Sequence, residues 1–323
     1  MQHLKQKLDE ALKNFTSQNN GTPAELYEPI NYSLSLGGKR LRPMLVLLAC
    51  DAFGGNVDLS VNAALGIEVF HNFTLLHDDI MDNAPLRRNM PTVHQKWNSN
   101  IAILSGDTMF VQSYQLMAQT KHSKVLSLIE IFSKTAIEVC EGQQLDMNFE
   151  TTAIVSIDDY IKMIELKTAV LLACALKVGS IIANATDADA ENMYEFGRNI
   201  GIAFQLQDDI LDVFGAQENF GKMVGGDIAS NKKTFLLLKS MELANAQQLE
   251  ELKHCLESKY EVMNDKIEAV KNIYSQLNIR EHAENKMREF YNIGIECLQN
   301  VNVAIEKKAM LKKFADDLMV REN

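Results

Sequence analysis

From Thr92 to the C-terminus at Asn323 the chain contains no proline; all five lie at positions 23, 29, 43, 85 and 91. Proline breaks helix interiors because it lacks an N–H and clashes with the preceding turn. So long a stretch without it is what a succession of helices requires. The apolar spacing agrees. Val125, Leu128, Ile129, Phe132 and Ala136 recur at steps of three and four, as do Ile161, Ile164, Leu166, Val170, Leu171, Ala173 and Cys174. Both sets form one face of a 3.6-residue period. No alternating run bounded by turn residues predicts a strand. The chain reads as all-α.

Breaks between helices are short: GG at 37–38 and 54–55, NAPLRRNMP at 83–91, TTAIVS at 151–156, NATDAD at 184–189 and FGAQENFGKMVGGD at 214–227. The last is read as a mobile loop. No low-complexity linker divides the sequence, which predicts a single domain over residues 1–323, built as one large helical bundle around a central cavity. With 46% hydrophobic residues such a domain can bury a large core.

A net charge of −11 opposes non-specific binding to nucleic acid or to anionic membranes. The five cysteines form no CxxC pair and are odd in number, as expected for free thiols in a reducing cytoplasm. The N-terminal MQHLKQKLDEALKNF lacks the apolar centre of a secretory signal. No run of eighteen apolar residues predicts a membrane-spanning helix.

One pattern occurs twice. FTLLHDDIMD ends in Asp78, Asp79 and Asp82; FQLQDDILD carries Asp208, Asp209 and Asp212 in the same arrangement. Residues at i and i+4 share a helix face, so Asp78 meets Asp82 and Asp208 meets Asp212, and like charges so placed destabilise the helix. Divalent cations relieve that repulsion, and carboxylate oxygens select Mg²⁺ over zinc or copper. A lone DDxxD also arises by chance on a solvated acidic face; two copies in matching apolar settings rarely do.

With these motifs the chain resembles a trans-isoprenyl diphosphate synthase of the short-chain farnesyl/geranylgeranyl type, from about residue 30 to the C-terminal VREN. The resemblance implies an isoprenoid-synthase-like bundle. It also implies a Mg²⁺-dependent transferase of isoprenoid biosynthesis that condenses isopentenyl diphosphate with an allylic diphosphate (dimethylallyl, geranyl or farnesyl). Asp78, Asp82, Asp208 and Asp212 are the implied metal ligands, for three Mg²⁺ ions per site with diphosphate bound, and Asp79 joins Asp78 and Asp82 in catalysis. In GGKRLRP, Lys39 and Arg42 match the residues that bind the diphosphate of isopentenyl diphosphate, and His71 stands at a third contact to it. In LRRNMPTVH, Arg87 matches a contact to the allylic diphosphate and Arg88 one to isopentenyl diphosphate; Asn89 replaces the usual glycine. The KT pair is Lys167 and Thr168, and Gln205 precedes the second motif. Lys222 and Lys232 match further diphosphate contacts, with Asn231 where many members have glycine. Gln143 and Asp146 match a GQxxD element read as a helper of the first metal cluster.

Phe73, five residues before Asp78, would lie roughly 7–8 Å below the metals at 1.5 Å per residue. Phe70 lies a turn deeper, and Thr74 is a smaller neighbour. A bulky residue at that position is similar to short-chain members making twenty-carbon products, so geranylgeranyl diphosphate is expected, then farnesyl diphosphate. A homodimer is what the resemblance implies. Two other readings share the fold. A terpene cyclase would carry a mixed second metal motif and no GGKRLRP site. A non-catalytic subunit of a two-chain synthase would have lost aspartates, and all six are present.

Overall fold

The computed structural model describes residues 1–215, 224–258, 260 and 262–320. Its helices are α1 (Gln2–Gln18), α2 (Ala24–Ser35), α3 (Leu41–Ala52), α4 (Val57–Met81), α5 (Val93–Lys96), α6 (Ser99–Ala118), α7 (Val125–Thr151), α8 (Ile157–Ile164), α9 (Val170–Ile182), α10 (Asp187–Phe214), α11 (Gly226–Ala229), α12 (Phe235–Leu243), α13 (Ala246–Glu257), α14 (Met263–Gln276), α15 (Ile279–Asn300) and α16 (Ile305–Met319). The all-α expectation holds, with one addition. Leu86–Arg87 (β1) pairs antiparallel with Met90–Pro91 (β2). The reason is the turn between them. Arg88 and Asn89 have φ of 54° and 63°, and two central residues at positive φ make the tight turn whose twist suits a hairpin. Asn enters that region at lower cost than most residues, so the replacement of glycine at 89 is accommodated.

Chain contacts divide into two compact units. The first comprises residues 1–134, 174–194 and 301–304, the second 135–173, 195–300 and 305–323. In the first unit α4 packs chiefly on α6 and α3. Asn56 starts α4 by accepting the Asp58 N–H at 3.0 Å, which satisfies one of the donors a helix start leaves over. Ala63, Ala64, Ile67, Val69 and Phe70 on α4 are buried, as are Ala102 and Met109 on α6 and Val46 and Leu47 on α3. α4 also meets the length and hydropathy of a membrane span, which the search for an unbroken apolar run did not foresee. However, 61% of its apolar window is buried inside the protein.

The second unit has its own core, formed by Tyr160, Met163, Ile164, Ile202, Leu206, Ile210, Phe235, Leu236, Val270 and Tyr274 among others. α8 opens on a reciprocal cap in which Ser156 Oγ accepts the Asp159 N–H at 3.0 Å and Asp159 accepts the Ser156 N–H at 3.2 Å. Between α8 and α9 the helix widens into a π-turn over Glu165–Ala169. The single helical face read from Ile161 to Cys174 is therefore interrupted, because a π-turn inserts one residue and shifts the phase of the helix beyond it. All five cysteines are free thiols.

Candidate active site

The first acidic motif lies at the C-terminal end of α4. Asp82 is the residue that closes the helix, and its N–H still bonds the Asp78 carbonyl at 2.9 Å, so the two share a face as their spacing predicts. Their setting is doubly adverse. The carboxylates repel each other, and a helix C-terminus carries negative partial charge. The motif is also not uniform. Asp79 is 4% exposed, while Asp78 is half-buried and Asp82 exposed. Arg87, delivered by the hairpin, gives its Nε–H to both oxygens of Asp79 at 2.8 and 2.9 Å, and its Nη2 lies 3.4 Å from Asp78 Oδ2. Burial raises the Asp79 pKa, and the bond from Arg87 opposes that rise. The middle aspartate thus anchors an arginine, while the outer two are left accessible.

The basic residues of the same unit gather at the start of α3. Arg88 Nη1 donates to the Gly37 carbonyl, and its guanidinium lies so close to Gly38 that a Cβ there would fall 2.8 Å from it. Gly38 also has φ of 128°, a backbone conformation that favours glycine. Arg42 Nη1 lies 3.3 Å from His71 Nε2. Desolvation pushes the His71 pKa well down, and the charges of Arg42, Arg88, Arg87 and Arg40 push it the same way. Its ring is therefore neutral, with Nε2 accepting from Arg42 and the proton on Nδ1. Lys39 is exposed. Arg40, between them, turns inward to Glu68.

Beneath Asp78 lies a group of rings of which the sequence marks only two, Phe70 and Phe73. Phe73 packs at 5.5 Å centroid separation against Phe70, edge-on at 4.8 Å against His77 and at 5.2 Å against Phe110 of α6. Phe70 also meets Phe132 at 5.2 Å, and Phe110 meets Tyr114 at 5.2 Å. Thr74 turns its hydroxyl back to the His71 carbonyl at 2.8 Å. Phe110, Tyr114 and Phe132 sit far from the motif in sequence, and only the helix packing brings them in.

In the second unit Asp208, Asp209 and Asp212 occupy the last turns of α10, again at the negative end of a helix. The division of labour repeats: Asp209 is 4% exposed, and Asp208 and Asp212 are half-buried. Asp209 accepts from the Tyr160 hydroxyl and, at 3.3 Å, from Gln205 Nε2. Burial, then the charge of Asp227, raises its pKa to about 7. Thr168 Oγ1 donates to Gln205 Oε1 at 3.2 Å, completing a chain Thr168–Gln205–Asp209–Tyr160. Tyr160 belongs to no motif, and nothing local in the sequence marks it. Asp212 Oδ2 accepts the Asp227 N–H at 2.9 Å.

Lys167 stands in the π-turn, with Nζ 2.6 Å from Asp146 Oδ2. Asp146, the end of the GQxxD element, thus orients a lysine of its own unit; Gln143 is half-buried on the same helix. The glycine of that element has a reason too. A Cβ on Gly142 would stand 2.2 Å from the Lys167 backbone nitrogen, so α7 can lie against the π-turn only with no side chain there. Asn231 has φ of 57°, donates to the Leu256 carbonyl at 3.0 Å and accepts from buried Lys266, which fixes the turn leading into exposed Lys232. Lys222 and the centre of the predicted loop lie outside the described residues.

The donor set fits a hard divalent cation. Among the described residues no three His, Cys, Asp or Glu side chains close a metal site by themselves. Mg²⁺ does not ask for that, since it keeps several waters and takes one or two carboxylates together with phosphate oxygens. The polyprenyl synthetase model matches residues 23–276.

The chain belongs to the polyprenyl synthetase family. Geranylgeranyl diphosphate synthase of Methanosarcina mazei is 37% identical over 302 residues, covering 93% of this chain and 91% of that protein. Geranylfarnesyl diphosphate synthase of Natronomonas pharaonis is 38% identical over 235 residues, covering 67% and 69%. A crystal structure of a geranylgeranyl pyrophosphate synthase superposes with a TM-score of 0.93 at 44% identity, covering 99% of each chain. This polyprenyl synthetase keeps all six motif aspartates.

Proposed function

We propose that this polyprenyl synthetase, acting as one synthase domain, condenses isopentenyl diphosphate with an allylic diphosphate to give a short all-trans prenyl diphosphate, with geranylgeranyl diphosphate as principal product and farnesyl diphosphate next. The observation that carries this reading is the repeated split within each acidic motif. The middle aspartate is buried and bonded within the protein, while the outer pair stands more accessible at the C-terminal end of its helix. Asp78 and Asp82, and Asp208 and Asp212, would hold Mg²⁺. Bound Mg²⁺ would neutralise the allylic diphosphate and make it a better leaving group.

The chain's own residues do the rest. Arg87, held by Asp79, and Lys167, held by Asp146, present positive charge to the allylic diphosphate, with Thr168, Gln205, Lys222 and Lys232 as further contacts. Lys39, Arg42, Arg88 and neutral His71 receive isopentenyl diphosphate. The allylic C–O bond breaks and diphosphate leaves with its electron pair, the double bond of isopentenyl diphosphate attacks the allylic cation so formed, a proton passes to the released diphosphate, and the chain gains five carbons. Apolar residues around the aspartates keep water from the allylic cation. Phe73, Phe70 and Thr74 limit the product's length. We place the protein in the cytoplasm, where its five free thiols stay reduced, and propose a second copy of the chain as its partner.

The deciding experiment is chromatography of products from labelled isopentenyl diphosphate with five-, ten- and fifteen-carbon allylic starters, with Mg²⁺ and with excess chelator. Mg²⁺-dependent incorporation ending at twenty carbons is expected. Turnover of the starter without isopentenyl diphosphate, or no incorporation at all, overturns the reading.

A further inference from the structure

Arg40 occupies the residue before α3 with φ 49° and ψ 40°, a left-handed conformation that costs a side-chain-bearing residue about 1–2 kcal/mol. What the conformation achieves is visible in its guanidinium. Nη1 donates to Glu68 Oε1, and Nη2 donates to the Leu34 carbonyl in the last turn of α2, where carbonyls lack helical partners. Glu68 is 2% exposed. Asn72, equally buried, gives Nδ2 to Glu68 Oε1 and to the Glu68 carbonyl, both at 2.8 Å. Three helices meet in this network: the end of α2, the start of α3 and the middle of α4.

We propose that Arg40, Glu68 and Asn72 are positioning residues for isopentenyl diphosphate. This rests on the prenyl-transfer reading above. The network consumes the middle cation of GGKRLRP and pins the segment that carries Lys39 and leads into the first turn of α3, where Arg42 stands, to α4. That helix also carries Asp78, about 15 Å further along its axis at 1.5 Å per residue. Glu68, His71 and Asn72 stand at i, i+3 and i+4 and share one face, so the anchor of the loop and the histidine that Arg42 touches are set by the same turn. Losing the anchor loosens Lys39 and the first turn of α3 around Arg42 while leaving Asp78, Asp79 and Arg87 in place. The effect is therefore selective for one of two diphosphates.

Steady-state kinetics with each substrate varied in turn tests this on Glu68→Gln, Asn72→Ala and the apolar pair Arg40→Leu/Glu68→Leu. The pair leaves no unpartnered buried charge and so keeps the fold if the single change does not. The KM for isopentenyl diphosphate is expected to rise about tenfold or more, with kcat and the KM for the allylic substrate nearly unchanged. A rise below about threefold, or equal rises for both substrates, overturns the proposal. A wild-type protein that consumes no isopentenyl diphosphate overturns the prenyl-transfer reading itself.

Discussion

Arg87 holds Asp79 by sharing a single Nε–H between both carboxylate oxygens, at 2.8 and 2.9 Å, while Nη2 reaches Asp79 Oδ1 at 2.7 Å. A pair so placed separates two roles that the motif's spelling merges. Asp79 sustains structure around Arg87, and Asp78 carries the accessible charge.

Asp78→Asn and Asp79→Ala should therefore differ in their effect on stability. Asp78→Asn removes a charge that repels Asp82 at a helix C-terminus but also lies 3.4 Å from Arg87 Nη2, so it should change stability by no more than about 0.5 kcal/mol, while lowering kcat by about 100-fold or more as expected for loss of a proposed metal ligand. Asp79→Ala leaves a largely buried guanidinium without its main carboxylate and should cost about 3 kcal/mol. Calorimetric melting beside kcat checks both. A stability loss for Asp78→Asn as large as that for Asp79→Ala would contradict the division.

Metal and diphosphate should stabilise the protein together. Chelator should abolish turnover. Mg²⁺ with inorganic diphosphate at a hundredfold excess over its Kd should add about 2.7 kcal/mol to unfolding, because a ligand that binds only the folded chain shifts the equilibrium by mass action. Thermal melts with Mg²⁺ alone, diphosphate alone and both would show whether the gain needs the two combined.

Product length should respond to Phe110 as well as to Phe73. The two rings stand 5.2 Å apart beneath Asp78, so each would close part of the proposed floor. Phe73→Ala and Phe110→Ala are each expected to shift products upward by one or more five-carbon units, at a stability cost below the roughly 3–5 kcal/mol of a fully buried ring, since both are half-buried. Chromatography of the dephosphorylated products reads the shift; an unaltered profile for Phe110→Ala would confine the floor to α4.

Acid should weaken the fold through His71. Its folded pKa lies well below the ordinary value of 6.5 because of burial and the surrounding arginines. Below about pH 6.5 the unfolded chain takes up a proton that the folded chain refuses, so stability is full above that pH and declines as pH falls toward the folded value. His71→Gln should flatten the stability profile on the acid side of pH 6.5. Denaturant titrations at pH 5, 6 and 7 measure it, and identical slopes for both proteins would contradict the assignment.

Much of the helical organisation was legible because it is written locally. The missing prolines and the three-four spacing around Leu128 and Phe132 need no knowledge of what packs on what. The turn at Asn89 was legible in kind, since asparagine stands where the resemblance has glycine and adopts positive φ; Asn231 was marked only as a replacement for glycine and adopts positive φ too. The acidic trios were legible as motifs but not as mixtures. Which aspartate is buried depends on Arg87 in one case and on Tyr160 in the other, and Tyr160 reaches Asp209 only through tertiary packing. Arg40 read as one more cation beside Lys39 and Arg42, because Glu68 carries no signal that it faces the loop. The π-turn escaped for a related reason. Periodicity tests assume a constant pitch, and an inserted residue passes as noise.

The widened turn at Glu165–Ala169 makes this segment length-sensitive in a way surface loops are not. Deleting Thr168 or Ala169 would let the backbone relax to an unbroken α-helix, swinging Lys167 by about 100° relative to α9 and away from Asp146. Natural variants of this chain should thus tolerate insertions and deletions between helices far more readily than a single-codon loss in that segment.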